Sequence, residues 1–358
     1  MTPSAQSDIT TTSTSSPTLQ LAALVQGVGI SRLDQVGWIR VTGEDRVRWL
    51  NGMVTNAIQQ QENGKGNYNF LLSVQGRIQG DATIFIQPDA LLIETAKSQV
   101  PTLMALLDRF IIMDDVELAD VTSTRSGLLV AGPQAASLLA QIGLNIEGLQ
   151  PLAMQTMPWR EVNVSVIHAY SPLTSKFELW TDAETLPKLA ETLHNGGTVF
   201  CEAQSLEWLR ILEGTPLFGT DIRDRELPQE TGQNRALHFA KGCYLGQEIV
   251  ERIRSRGNVH RTFSAFRLNG SLPNPGSPLE ADGKQIGELT SVAAIPLPIS
   301  NLSNDGKTIQ LGLGYIRREA LDRGLPLSYA GGTAVPVQLP FSITTPGPHA
   351  TSESSERV

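Results

Sequence analysis

The chain has 358 residues, 40% of them hydrophobic, and a formal net charge of −8. That length suits two or three domains, and no apolar run approaches the ~20 residues that cross a bilayer as a helix. The acidic balance speaks against non-specific nucleic-acid binding.

Residues 1–18 are rich in Thr and Ser and read as a disordered tail. The first basic residue is Arg32, so neither the charged start of a secretory signal nor a transit peptide is expected, which implies a cytoplasmic protein. A first α+β module is expected over 19–125. In it Trp38–Val41 reads as a strand and Asp45–Leu50 as a helix start. Ala82–Ile86 and Leu91–Glu94 form strands around the Pro88-Asp89 turn. Leu103, Leu106, Leu107 and Phe110 mark one helix face. A second module is expected over 126–200, with strands at 127–130 and 162–169. Asp182 opens a helix that runs to Leu193 and stops at Asn195-Gly196-Gly197. Leu206, Leu209 and Leu212 continue as a helix in a return segment, 201–262. From 263 to 343 the texture turns to Gly/Pro-rich short strands, with Asp282-Gly283 a two-residue hairpin signal. This segment reads as a small antiparallel β-barrel closed by Gly312–Ile316, and 344–358 as a second disordered tail. Strands followed by helices without a strict parallel repeat make the chain α+β.

The stretch Lys241-Gly242-Cys243-Tyr244-Leu245-Gly246-Gln247-Glu248 gathers an ammonium, a thiol, a phenol, two glycines and a carboxylate. The glycines permit a tight turn and close approach of other groups. Ile249, Val250 and Ile253 then give an apolar stripe, so the stretch sits at a helix entrance. A thiol beside Lys241 and near a helix N-terminus is expected to ionise readily. The same letters also suit a plain Gly-rich turn around a packed cysteine. Two cysteines, Cys201 and Cys243, make no disulfide framework and cannot supply the four thiolates of a conventional iron–sulfur cluster. Cys201 reads as core. The five histidines are scattered, and no metal site is expected. From Asp221 to Arg261 eight Lys/Arg face six acids, either a solvated face or an anion-binding rim.

The letters KGCYLGQE resemble the signature of the YgfZ-type folate-binding proteins, relatives of the glycine-cleavage T-protein that include iron–sulfur assembly and repair factors. Three further landmarks resemble that family: Ile39–Asp45 with Trp49–Gly52 and Val54–Asn56; Gly76–Asp81; and Arg210 with Gly214, Pro216, Phe218-Gly219 and Asp221. The resemblance implies ferredoxin-like modules around a central folate pocket plus the C-terminal barrel. It implies tetrahydrofolate or a reduced derivative as the ligand, and iron–sulfur client or assembly proteins as partners. Lys241, Cys243, Tyr244, Gln247, Arg254, Asp81 and Arg210 are the binding candidates, with Cys243 the candidate functional thiol. A folate needs flat walls and a carboxylate for its pterin and cations for its glutamate tail. Arg252, Arg254 and Arg256 are candidates for that last role. Two departures weaken aminomethyl transfer. The family's catalytic aspartate position is Gly80 here, leaving only Asp81, and its pterin-binding glutamate position is Leu212, with Glu213 displaced by one. Two other readings stay open: a folate-dependent one-carbon transferase using Asp81 or Glu213, and a tRNA-linked scaffold using the basic rim.

Overall fold

The computed structural model describes residues 15–341 apart from 60, 258 and 298–307; the expected tail at 344–358 lies outside the described residues. A first helix, α1 (Pro17–Gln26), starts inside the stretch expected to be tail. Ser16 accepts a hydrogen bond from the Leu19 N–H and proline occupies the first helical turn, both helix-starting features. Leu21 and Leu24 are fully buried, so residues 17 and 18 belong to the folded body.

The chain then alternates β1 (Gly29–Arg32), β2 (Val36–Thr42), α2 (Arg46–Asn51), β3 (Gly66–Leu72), β4 (Ile78–Ile86), β5 (Leu91–Ala96), α3 (Val100–Asp108) and β6 (Glu117–Asp120). Next come β7 (Ser126–Ala131), α4 (Ala135–Gln141), β8 (Met154–Trp159), β9 (Val162–His168), β10 (Lys176–Thr181), α5 (Leu186–Asn195), β11 (Val199–Phe200) and α6 (Ala203–Glu213). One sheet has the order β3-β4-β5-β2-β6 and the other β11-β1-β7-β10-β9-β8. β1 therefore leaves the first module and joins the second sheet, antiparallel to β7 and parallel to β11. After α7 (Gln247–Arg256), β12 (Arg261–Gly270), β13 (Pro278–Ala281), β14 (Lys284–Pro296), β15 (Thr308–Arg317), α8 (Arg318–Asp322), β16 (Leu327–Tyr329) and β17 (Gly332–Val337) follow. The strands among these close a barrel in the order β12-β15-β14-β13-β16-β17. The class is α+β with two open sheets and an antiparallel barrel. Three barrel strands are longer than the short strands expected, β12 and β15 with 10 residues and β14 with 13, while β13 and β16 are short. The Asp282-Gly283 turn has φ of 51° and 70°, the left-handed pair that a tight hairpin requires.

Each sheet buries one face under its own helices. Ile39, Ile84, Ile93 and Leu71 pack with Leu103 and Leu107 of α3, while Leu128, Val130, Leu179 and Val166 pack with Leu139 of α4 and Leu189 of α5. The opposite faces meet through Trp38, Phe85, Leu92, Ile167 and Trp180. Trp180 meets Trp38 edge-on at 5.6 Å and Phe85 at 5.3 Å, the arrangement aromatic quadrupoles favour. Two carboxyls share this layer. Glu94 stands opposite Trp38 on the first sheet, and Glu178 of the second accepts the indole N–H of Trp180 at 2.9 Å. Among the described residues no helix is long and apolar enough to cross a membrane.

Candidate functional site

The KGCYLGQE stretch forms a loop ahead of α7. Gly246 has φ of 79°, and a Cβ there would lie 2.6 Å from the Ser73 carbonyl oxygen. Gly76, with φ of 70°, lies against Ile249 of α7, 2.7 Å from a Cβ built on it. Both positions combine a left-handed backbone with close approach, so glycine is the residue that fits. The loop is thereby held on the β3–β4 hairpin. Leu245 N–H donates to the Gly52 carbonyl at 2.9 Å, and His238 N–H to that of Thr55 at 3.2 Å.

Lys241 completes this attachment. Its ammonium donates to the carbonyls of Asn51 and Val54 at 2.6 Å and of Asn56 at 2.7 Å. Burial pushes its pKa down to about 7, while three carbonyl acceptors favour the charged form. The geometry is that of an ammonium whose three protons are all engaged, so Lys241 ties the loop to the segment after α2. Tyr244 is buried with Tyr68, Phe70, Leu72, Ile222 and Val250, and burial raises its pKa to about 12. Gln247 accepts the Tyr244 N–H at 3.2 Å. Cys243 is exposed whereas Cys201 is buried, its thiol pKa raised to about 12 by burial.

Arg210 is also engaged throughout. It donates to Glu207, to the Thr215 carbonyl, to Asp221 at 2.6 Å and to Ser291 at 2.7 Å. Asp221, fully buried, accepts in turn from Thr290, from Ser291 and from the Leu217 N–H. This landmark therefore joins α6 to the barrel. The expected basic rim is largely neutralised. Arg223 and Arg225 pair with Glu288, and Arg261 with Glu230. Arg254 is exposed, 3.6 Å from Glu251 and over the Phe239 ring. The side chain of Arg256 lies outside the described residues.

A second constellation gathers around Arg235. Its guanidinium carbon sits 4.1 Å from the centroid of Tyr68 on β3 and 3.8 Å from that of Tyr170, in the loop after β9. Asn56 positions the segment by donating its side-chain amide to the carbonyls of Arg235 at 2.8 Å and Tyr68 at 3.2 Å. The Arg235 Nε donates to Gln233 at 3.1 Å, and no described carboxylate lies within 4.0 Å of the guanidinium. Burial lowers the Arg235 pKa from its ordinary value, against the pull of Tyr68, Tyr170, Asp81 and Glu213.

Asp81 and Glu213 interact electrostatically with this cation. Asp81, on β4, accepts from the Tyr68 hydroxyl at 2.5 Å and from Gln99 Nε2 at 2.8 Å. Burial raises its pKa although both bonds and Arg235 oppose the rise. Burial likewise raises the pKa of Tyr68 well above a normal phenol, with Asp81 adding to it. Glu213, the last residue of α6, accepts from the Ser171 hydroxyl. Burial raises its pKa against Lys176, Ser171 and Arg235. Leu212 is buried in the core with Leu129 and Ala293. Glu213 thus reaches the cluster that its displacement by one residue had put in doubt. Strand pleat separates positions 80 and 81. A side chain at Gly80 would strike Leu103 of α3, so the carboxylate on the Tyr68 face belongs to Asp81.

Of the candidates named from sequence, Lys241, Tyr244 and Gln247 come together against the β3–β4 hairpin, Asp81 joins the Arg235 cluster, and Arg210 stands at the barrel. Sequence reasoning overlooked Tyr68, Tyr170 and Ser171. It counted Arg235 only as one of eight basic residues. The Tyr170-Ser171-Pro172 turn behind an alternating strand was the available signal.

The chain is 26% identical over 309 residues to a chloroplastic protein of Arabidopsis thaliana whose name proposes a transferase, covering 85% of this chain and 68% of that one. It is 23% identical over 302 residues to an aminomethyltransferase of Staphylococcus saprophyticus, covering 83% and 81%. The crystal structure of the glycine cleavage system aminomethyltransferase T from Bartonella henselae has the same fold. Its TM-score is 0.79 at 19% identity, over 91% of this chain and 90% of that one. The model of the GCVT N-terminal domain matches residues 15–241, and the chain belongs to that family.

Proposed function

We propose that this chain binds tetrahydrofolate or a reduced derivative at the Arg235 cluster and serves, like the YgfZ-type proteins its KGCYLGQE loop resembles, in iron–sulfur protein assembly or repair. The observation that carries the folate reading is the Arg235 guanidinium against the rings of Tyr68 and Tyr170, within electrostatic reach of Asp81 and Glu213. The exposed Tyr170 phenol offers a flat surface that suits a pterin ring, and carboxylates accept its ring N–H groups. The cation suits an anionic part of the ligand. Calorimetric titration with tetrahydrofolate tests this, with Tyr170→Ala as the weakened variant. Absence of binding at saturating ligand would remove the folate reading.

The accessory role draws on Cys243, an exposed thiol in that loop. Cys243→Ser should keep folate binding and lose support of iron–sulfur enzymes in cells lacking the wild-type chain. Full support by the Ser variant sinks the functional thiol.

A second reading, folate-dependent one-carbon transfer, is favoured by one observation. Asp81 is a carboxyl in the Arg235 cluster whose pKa burial raises, the direction a carboxyl needs to act as a general acid. A one-carbon transfer assay with tetrahydrofolate as acceptor separates the readings. Turnover abolished by Asp81→Asn would make the chain an enzyme.

A further inference from the structure

A cleft of about 380 Å³ opens at the far end of the sheet-to-sheet layer, lined by Arg40, Arg125, Asn163, Ser165, Trp180 and Asp182 among others. Arg40 lies on β2, Arg125 just before β7, and Asn163 and Ser165 on β9, so both sheets contribute. None of these residues belongs to the Arg235 cluster.

The charge arrangement here is unusual for a cleft without a ligand role. Arg125 is half-buried, and its guanidinium makes no hydrogen bond or ion pair with any described residue. Burial, then the neighbouring Arg40, hold its pKa below the ordinary arginine value. Two guanidiniums thus face one space and repel each other. Arg40 has an outer partner in Asp89 at 2.6 Å, which leaves Arg125 uncompensated. Asp182 also lines the cleft, but its Oδ1 accepts the Thr185 N–H at 2.7 Å at the start of α5, and it makes no ion pair with Arg125. Around the guanidiniums stand neutral donors. Ser165 and Thr156 hydroxyls bond each other at 2.8 Å, and the Asn163 amide is exposed.

We propose that this cleft is a binding site for a phosphate group, carried on a small organic body that fills the remaining volume. A partly desolvated guanidinium with no carboxylate is costly unless an anion completes it. Tetrahedral oxyanions suit two guanidiniums supplemented by hydroxyl and amide donors. The cleft exceeds what one phosphate occupies, and Trp180 offers an apolar wall.

The test is calorimetric titration of the full chain at constant ionic strength with ribose 5-phosphate, inorganic phosphate and ribose. Ribose 5-phosphate should bind, inorganic phosphate more weakly and ribose not at all. Arg125→Gln should weaken ribose 5-phosphate by about tenfold or more, the loss expected for one charged hydrogen-bonding partner, with tetrahydrofolate affinity unchanged. Because the variant removes an unpaired charge, its melting temperature should equal or exceed that of the wild type. Ribose 5-phosphate should raise only the wild-type value. Tightest binding of inorganic phosphate would assign the cleft to the free ion and overturn the organic body. Equal binding of ribose, equal affinity in Arg125→Gln, or no binding of either phosphate compound overturns the site.

Discussion

The Arg235 guanidinium carbon lies 3.8 Å from the centroid of the Tyr170 ring and 4.1 Å from that of buried Tyr68. A cation held against two phenols gains about 0.5–2 kcal/mol per contact, depending on desolvation. Its terminal nitrogens keep donors for an incoming group.

Replacing Arg235 by Ala should therefore cost more in binding than in folding. Tetrahydrofolate affinity should fall by about 2 kcal/mol, the loss of a charged hydrogen bond, as read by calorimetric Kd. An unchanged Kd would move the folate site elsewhere.

Lys241 predicts the opposite balance. Its three carbonyl acceptors are part-buried. Lys241→Met should lower unfolding free energy by about 2–4 kcal/mol, because each stranded acceptor costs about 1–3 kcal/mol less whatever water recovers. Urea denaturation measures this, and a change under about 0.5 kcal/mol, the size of an ordinary surface substitution, would deny Lys241 its anchoring role.

Glu94 and Glu178 interact between the two sheets, and burial, then Glu178, raise the Glu94 pKa well above normal. The folded state thus keeps a proton that the unfolded chain loses near pH ~4.3. Stability contributed by that proton is present at low pH and lost as pH rises through the folded pKa. Glu94→Gln keeps a donor without the charge, so its melting temperature should exceed the wild type by more at pH 8 than at pH 4.5. A difference that is constant with pH would reject the shared proton.

Exposure separates the two thiols. Cys243 should be alkylated in the folded protein while Cys201, fully buried with its pKa raised to about 12, reacts only on unfolding. Mass spectrometry after brief iodoacetamide treatment reads both sites. Labelling of Cys201 first would contradict the fold. Cys243→Ser should change stability by no more than about 0.5 kcal/mol, as for other surface positions.

Local signals in the chain determined much of the frame. Leu103 and Leu107 at helical spacing make the buried face of α3, and Asp282-Gly283 makes its hairpin. The glycines of KGCYLGQE mark a turn before a helix, which α7 bears out. These features depend on neighbours in the chain, so periodicity and turn chemistry suffice to read them. The Arg235 site was not legible in this way. Tyr68, Asp81, Tyr170, Glu213 and Arg235 come from two strands of one sheet, a loop of the other, a helix end and the return segment. Each alone resembles an ordinary polar or aromatic residue. Two positions turned on a single residue step. Strand alternation turns Asp81 towards Tyr68 and position 80 towards Leu103, and a rotation of about 100° per helical residue separates buried Leu212 from Glu213. Lys241 and Arg210 are binding candidates by sequence, and only the packed chain brings carbonyls and carboxylates from other segments to their donors. Long-range packing decides which charges are spent on the fold and which stay available.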